Sequence, residues 1–139
     1  MLNIARRIFQ SQKHLQKYVS SSSASPKSFV IKDHYEFDRK VVNSDNPVIV
    51  NFHAEWCDPC KILTPKMIEL LDNSQEIDLA IIDVDANLDL VETFEVKAVP
   101  AILAFRNGVV VDKFIGLVDG DIIENLINKL KKKRNSTEQ

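Results

Sequence analysis

Apolar residues fall along this chain in two kinds of run. Val48-Ile49-Val50-Asn51-Phe52-His53-Ala54 and Leu79-Ala80-Ile81-Ile82-Asp83-Val84 are short and mostly apolar, as strands buried on both faces are. Ser28 to Ile31 is a shorter β-prone run. Ala101 to Phe105 and Val109 to Ile115 read as two strands joined at Asn107-Gly108, a two-residue hairpin signal. Between these runs the apolar spacing turns helical. Asp33 is placed to cap a helix over His34 to Val42, with Tyr35, Phe37, Val41 and Val42 as its apolar surface. A longer helix is expected from about Cys57 to Asn73, carrying Ile62, Leu63, Met67, Ile68, Leu70 and Leu71. Pro59 suits its first turn, whereas Pro65 should kink it. Leu88 to Phe94 makes a short helix. Asp119 should cap a last one, whose face is Ile122, Ile123, Leu126, Ile127 and Leu130. The order βαβαβα followed by ββα implies parallel strands with right-handed crossovers, then an antiparallel hairpin. The outcome is a mixed α/β sheet between helices.

Charge divides the 139 residues unevenly. Residues 1–27 hold five basic residues and no acidic one, so all 20 acidic residues lie in the remainder, against 13 of the 18 basic ones. An acidic body lacks the basic footprint of a nucleic-acid binder. The basic run Lys129, Lys131, Lys132, Lys133 and Arg134 suits a helix C-terminus, and residues 133–139 read as a polar tail. The first 27 residues place Leu2, Ile4, Ala5, Ile8, Phe9 and Leu15 on one helical face and Arg6, Arg7, Lys13 and Lys17 on the other, ahead of a serine run. That is the pattern of a mitochondrial transit peptide, not of a secretory signal. No apolar run is long enough to span a bilayer. The expected organisation is a transit peptide over 1–27, a domain over 28–132 and the tail.

The only two cysteines stand in Trp56-Cys57-Asp58-Pro59-Cys60-Lys61. Two thiols two residues apart can close and reopen a disulfide. Cys57 falls where a strand gives way to a helix, and unpaired N–H groups with the helix dipole favour a thiolate there. Thiol–disulfide exchange needs an exposed attacking thiolate and a resolving thiol beside it. Cys57 suits the first role and Cys60, one turn further in, the second. Pro59 stiffens the spacer, and Trp56 offers a flat surface for docking a partner. A metal site built on His53, Cys57 and Cys60 lacks a fourth protein ligand. His53 reads as an ordinary side chain near a strand end. Pro100, just before a strand, is either a plain strand starter or a cis-proline in a tight bend.

Over residues 28–132 the chain resembles the thioredoxins, specifically the mitochondrial type. The match is carried by Val50 to Leu63 around the cysteine pair, by Ala98-Val99-Pro100, by Asn107-Gly108 and by Val111 to Gly116. The resemblance implies a thioredoxin fold, a five-stranded mixed sheet flanked by four helices. It implies reduction of disulfides in other proteins, peroxiredoxins among them, by a monomeric domain in the mitochondrial matrix. Recharging would come from an NADPH-dependent flavoprotein, thioredoxin reductase. No bound cofactor or metal is implied beyond the redox-active disulfide of Cys57 and Cys60, and no nucleic acid or membrane partner. By position Cys57 is the nucleophile, Cys60 the resolving thiol and Pro100 the cis-proline facing them. Val99 would offer backbone hydrogen bonds to an extended substrate segment, in a groove also lined by Trp56 and Gly116.

Four positions depart from the family pattern. Asp58 stands where Gly is usual and Ala101 where Thr is common. Asn51 occupies the place of the buried Asp that takes the resolving thiol's proton, and Ile81 that of its Lys partner. Losing both together is coherent, because a lone buried Lys would be costly. The expected result is a neutral pocket behind Cys60 and slower resolution near neutral pH, with the proton going to water, substrate or Cys57. Asp58 is expected to make Cys57 less acidic. These departures keep open an alternative, a peptide-binding adaptor on the same fold with weakened redox activity.

Overall fold

The computed structural model describes residues 27–137; the expected transit segment lies almost wholly outside that range. Five strands and four helices follow one another in the order βαβαβα, then ββα. The strands are β1 (Ser28–Val30), β2 (Val48–His53), β3 (Asp78–Asp83), β4 (Ala101–Arg106) and β5 (Val109–Ile115). The helices are α1 (His34–Phe37, continued by a π-helical turn over Asp38–Val42), α2 (Asp58–Asp72), α3 (Leu88–Thr93) and α4 (Gly120–Thr137). The sheet order is β1-β3-β2-β4-β5. β3 runs parallel to both β1 and β2, while β4 is antiparallel to β2 and to β5. This is the mixed sheet expected from the order of elements.

Strand alternation builds two cores, one on each face of the sheet. Val48, Val50 and Phe52 of β2 join Ala80, Ile82, Leu103 and Phe105 in packing against Phe37 and Val41 of α1 and Leu90 of α3. The opposite parity, Ile49 with Leu79, Ile81, Ile102 and Ala104, packs against Leu63, Met67 and Leu71 of α2 and Ile123, Leu126, Ile127 and Leu130 of α4. Asn51 and His53 share the parity of Ile49. They therefore belong to the face covered by α2, the helix that contains Cys60.

Local chemistry explains the ends of the elements. The Asp33 side chain accepts from the Glu36 N–H and caps α1. Asn107 and Gly108 take φ of 52° and 77° in the β4–β5 hairpin. A Cβ on Gly108 would come within 2.9 Å of the Val42 carbonyl oxygen, so that turn needs glycine twice over. Asp119 precedes α4, and its carbonyl accepts from Ile122 and Ile123.

Several expectations need correction. Tyr35 is 74% exposed and Ile62 is 66% exposed, so neither supplies core surface. Leu63, Met67 and Leu71 form the buried seam of α2 at four-residue spacing, and Ile62 falls off it. Ile122 likewise sits at the margin of α4. α2 spans Pro65 without ending there, and α4 extends to Thr137, into the residues read as a polar tail. Among the described residues no helix is long and apolar enough to cross a membrane.

Candidate active site

Cys57 is the N-cap residue of α2. Its backbone is extended (φ −93°, ψ 106°), and its N–H donates to the Ala54 carbonyl. The Cys57 Sγ accepts from the backbone N–H of Cys60 at 3.3 Å. A sulfur in that position receives an otherwise orphaned donor and the positive end of the helix dipole. Asp58 and Pro59 follow as the first helical residues; proline costs nothing there, because its missing N–H would have no helical partner. Cys57 and Cys60 are joined as a disulfide, with their Cα atoms 5.3 Å apart.

Both cysteines are buried, at 4% and 1% exposure. The reading of Cys57 as exposed is corrected. Its sulfur turns back over the helix toward Cys60 and packs with Ala54, against which Val84 and Val99 also lie. Cys60 remains the deeper of the two. Asp58 is almost fully exposed, and its Oδ1 lies 3.7 Å from Lys61 Nζ.

The Val99–Pro100 peptide bond is cis. Pro100 is buried, and Val99 packs directly against the cysteine cluster. Gly116 reaches this region through its backbone: its N–H donates to the Pro100 carbonyl at 2.8 Å, with φ of 92°. Trp56 is 68% exposed and is fixed by a hydrogen bond from its indole Nε1 to Asp85 Oδ2 at 2.9 Å. Trp56 and Val99 line a common groove of about 230 Å³ with Val84, Asp85, Leu88 and Lys97. Gly116 is not part of that lining. Asp85 is a site residue that the sequence reading missed. It lies two residues past the end of β3, and its partnership with Trp56 depends on the β2–β3 pairing that brings two chain segments together.

Asn51 is completely buried behind the cysteines. Its register neighbours are Ile81 on β3 and Ile102 on β4, so two of the positions that depart from the family pattern touch one another. Its Nδ2 donates to Thr64 Oγ1 of α2 at 2.9 Å, and its Oδ1 has no partner. Asn51 and Ile81 thus set two uncharged side chains side by side on β2 and β3. Thr64, four residues after Cys60, is a second residue that the sequence reading missed, although the i, i+4 spacing on one helix signals it. A separate open cavity of about 540 Å³ is lined by Cys60 and Thr64 together with His53, Glu55 and Lys61. Among the described residues no group of three or more His, Cys, Asp or Glu is arranged to hold a metal ion.

A helix-capping cysteine disulfide-bonded to a deeper partner, with the residue before a cis-proline packed against the pair, defines a dithiol–disulfide exchange protein. The thioredoxin family model matches residues 28–129. Mitochondrial thioredoxin of Bos taurus is 38% identical over 138 residues, spanning 91% of this chain and 83% of that one. The Mus musculus mitochondrial thioredoxin is 44% identical over 104 residues, 74% of this chain but only 63% of its own length. Among solved structures, a point-mutant thioredoxin of Halobacterium salinarum superposes with a TM-score of 0.69 at 35% identity, over 78% of this chain and 95% of that one. The chain belongs to the thioredoxin family. It is of that family's mitochondrial type and is a dithiol thiol–disulfide oxidoreductase.

Proposed function

We propose that Cys57 is the attacking thiol and Cys60 the resolving thiol of a protein-disulfide reductase working in the mitochondrial matrix. The observation that supports these roles is the Cys60 N–H donated to the Cys57 Sγ, which favours charge on Cys57 and not on its deeper partner. In the reduced protein the Cys57 thiolate attacks one sulfur of a substrate disulfide. A mixed disulfide forms and the substrate's other sulfur leaves as a thiolate. Cys60 then loses its proton and attacks the Cys57 Sγ, releasing the second substrate thiolate. Two electrons pass to the substrate, and Cys57–Cys60 returns to the disulfide seen here.

The substrate is an extended segment laid against Trp56, Val99 and Pro100, with Gly116 supporting Pro100 from behind. The redox disulfide is the only prosthetic element the reaction needs. The partners are an NADPH-dependent thioredoxin reductase, which regenerates the dithiol, and disulfide-bearing proteins such as peroxiredoxins. The amphipathic, acid-free start of the chain and the mitochondrial relatives support import, with residues 1–27 as the transit peptide, 28–132 as the working domain and 133–139 as its extension. Asn51, Ile81, Asp58 and Pro59 tune the thiols and take no part in bond exchange.

NADPH consumption coupled through thioredoxin reductase to reduction of a protein disulfide tests the reading. Turnover is expected with the wild type and none with Cys57→Ser. Cys60→Ser is expected to accumulate a mixed disulfide through Cys57. Peptide binding with no turnover in the wild type would instead make the chain an adaptor.

A further inference from the structure

We infer that His53 is the residue that takes and returns the proton of Cys60, through water in the cavity that the two residues share. The inference rests on the dithiol reading above and adds the proton path that the reading leaves open. Asn51 cannot serve, because an amide has no basic site near neutral pH. It is also spent on holding Thr64.

The geometry follows from the parity of β2 and the pitch of α2. Asn51 and His53 are two residues apart on one strand and face α2 together. Cys60 and Thr64 are four apart on one helix and face β2 together. The chain reverses between β2 and α2, so the Asn51–Thr64 bond sets Cys60 opposite His53 at the upper end of the sheet. Cys60, Thr64 and His53 accordingly line one open cavity, large enough to hold several waters. Thr64 Oγ1 accepts from Asn51, which leaves its O–H to order a water there.

The charged groups around His53 are few. Glu55 and Lys61 line the same cavity, and Asp83 is its register partner on β3. The Asp83 carboxylate already accepts from the Asp85 N–H. Imidazole is the side chain in this lining with a basic nitrogen suited to taking up and giving back a proton. In the resolving step a cavity water carries the Cys60 proton to neutral His53. The Cys60 thiolate attacks the Cys57 Sγ, the substrate thiolate leaves, and the imidazolium returns the proton to it through the same water. His53 ends the cycle unchanged. It acts through water and is a positioning residue for the proton, not a nucleophile.

Rapid mixing of the reduced full chain with an aromatic disulfide that releases a coloured thiolate separates the two steps. The first release reports attack by Cys57 and the second reports resolution by Cys60. The second phase is expected to rise with pH through the histidine range. His53→Gln should remove that inflection and slow the phase about 10-fold at neutral pH while leaving the first phase unchanged. Glu55→Gln should keep the inflection. An inflection that survives His53→Gln, or vanishes in Glu55→Gln, overturns the inference alone. A wild type with no first phase overturns the dithiol reading and the inference with it. The wild type also gives a test that needs no variant: the NMR titration of His53 should differ between the disulfide and dithiol forms, and identical titrations would overturn the proposal even if His53→Gln failed to fold.

Discussion

The Asn51 side chain donates to the Thr64 hydroxyl at 2.9 Å, pinning the centre of the sheet to α2 one turn below Cys60. This bond satisfies one side of a fully buried amide and leaves Oδ1 without a protein partner between Ile81 and Ile102. An apolar surround tolerates an amide here far better than a carboxylate.

Asn51→Asp places an ionisable group in that surround, where burial pushes its pKa above the ordinary carboxylate value. With the folded pKa raised, the group's stabilising contribution is present below about pH 3.9 and is lost as pH rises through the folded value. The variant should match the wild type in acid and be less stable by about 2–3 kcal/mol near pH 8. Adding Ile81→Lys should recover part of that loss, because the two positions are register partners, and should change the pH dependence of resolution. Denaturant titrations at the two pH values check this. An equal penalty at both would show that the surround is not selecting against charge.

Asp58 is expected to act on Cys57 weakly. Its carboxylate is almost fully exposed and lies near Lys61, so solvent and a counter-charge both blunt its field. Asp58→Asn should lower the Cys57 thiol pKa by about half a pH unit at low salt and by less at high salt. Thiolate absorbance titration measures it. A pKa that stays put at low salt would mean that the helix terminus alone sets the acidity.

Trp56 and Asp85 form the rim of the groove beside Cys57. Asp85→Ala frees the indole without removing its surface, whereas Trp56→Ala removes both. For protein substrates, Asp85→Ala should raise KM about 2–3-fold and Trp56→Ala about 10-fold, with little change in the rate toward a small aromatic disulfide. Parallel kinetics on the two substrate types decide the matter. An equal loss on both would place the effect on the thiols and not on docking.

The sheet was legible because its strands are apolar runs with clean ends: β2 and β3 stand out, and Asn107-Gly108 marks the hairpin. The cysteine pair was legible because its spacing and its place before a helix are both local. Tyr35 and Ile62 were misread because periodicity identifies an apolar residue without saying which way the helix is turned. Thr64 and Asp85 were missed for a different reason. Each acquires its role from a partner 13 or 29 residues away, and only the pairing of β2 with α2 and β3 brings them together. His53, weighed as a metal ligand and then read as a strand-end side chain, lines a cavity with Cys60 only because α2 packs on β2.

Asp78 opens β3 opposite Val48, away from the thiols. Burial pushes its carboxyl pKa up, and a hydrogen bond from Asn46 offsets part of the rise. With the folded pKa raised, its stabilising contribution is complete below the unfolded value of about 3.9 and disappears as pH climbs through the folded one. At neutral pH the ionised group is therefore a liability. Asp78→Asn keeps the shape and an acceptor for Asn46 while removing the charge. Its Tm should exceed that of the wild type by about 2 °C near pH 7, a gain kept small because the carboxylate is partly solvated. The difference should close by about pH 2.5, well below the unfolded value, where the wild-type carboxyl is protonated in both states. Paired thermal melts at the two pH values test it, and a variant less stable than the wild type near pH 7 would refute the assignment of burial as the dominant cause.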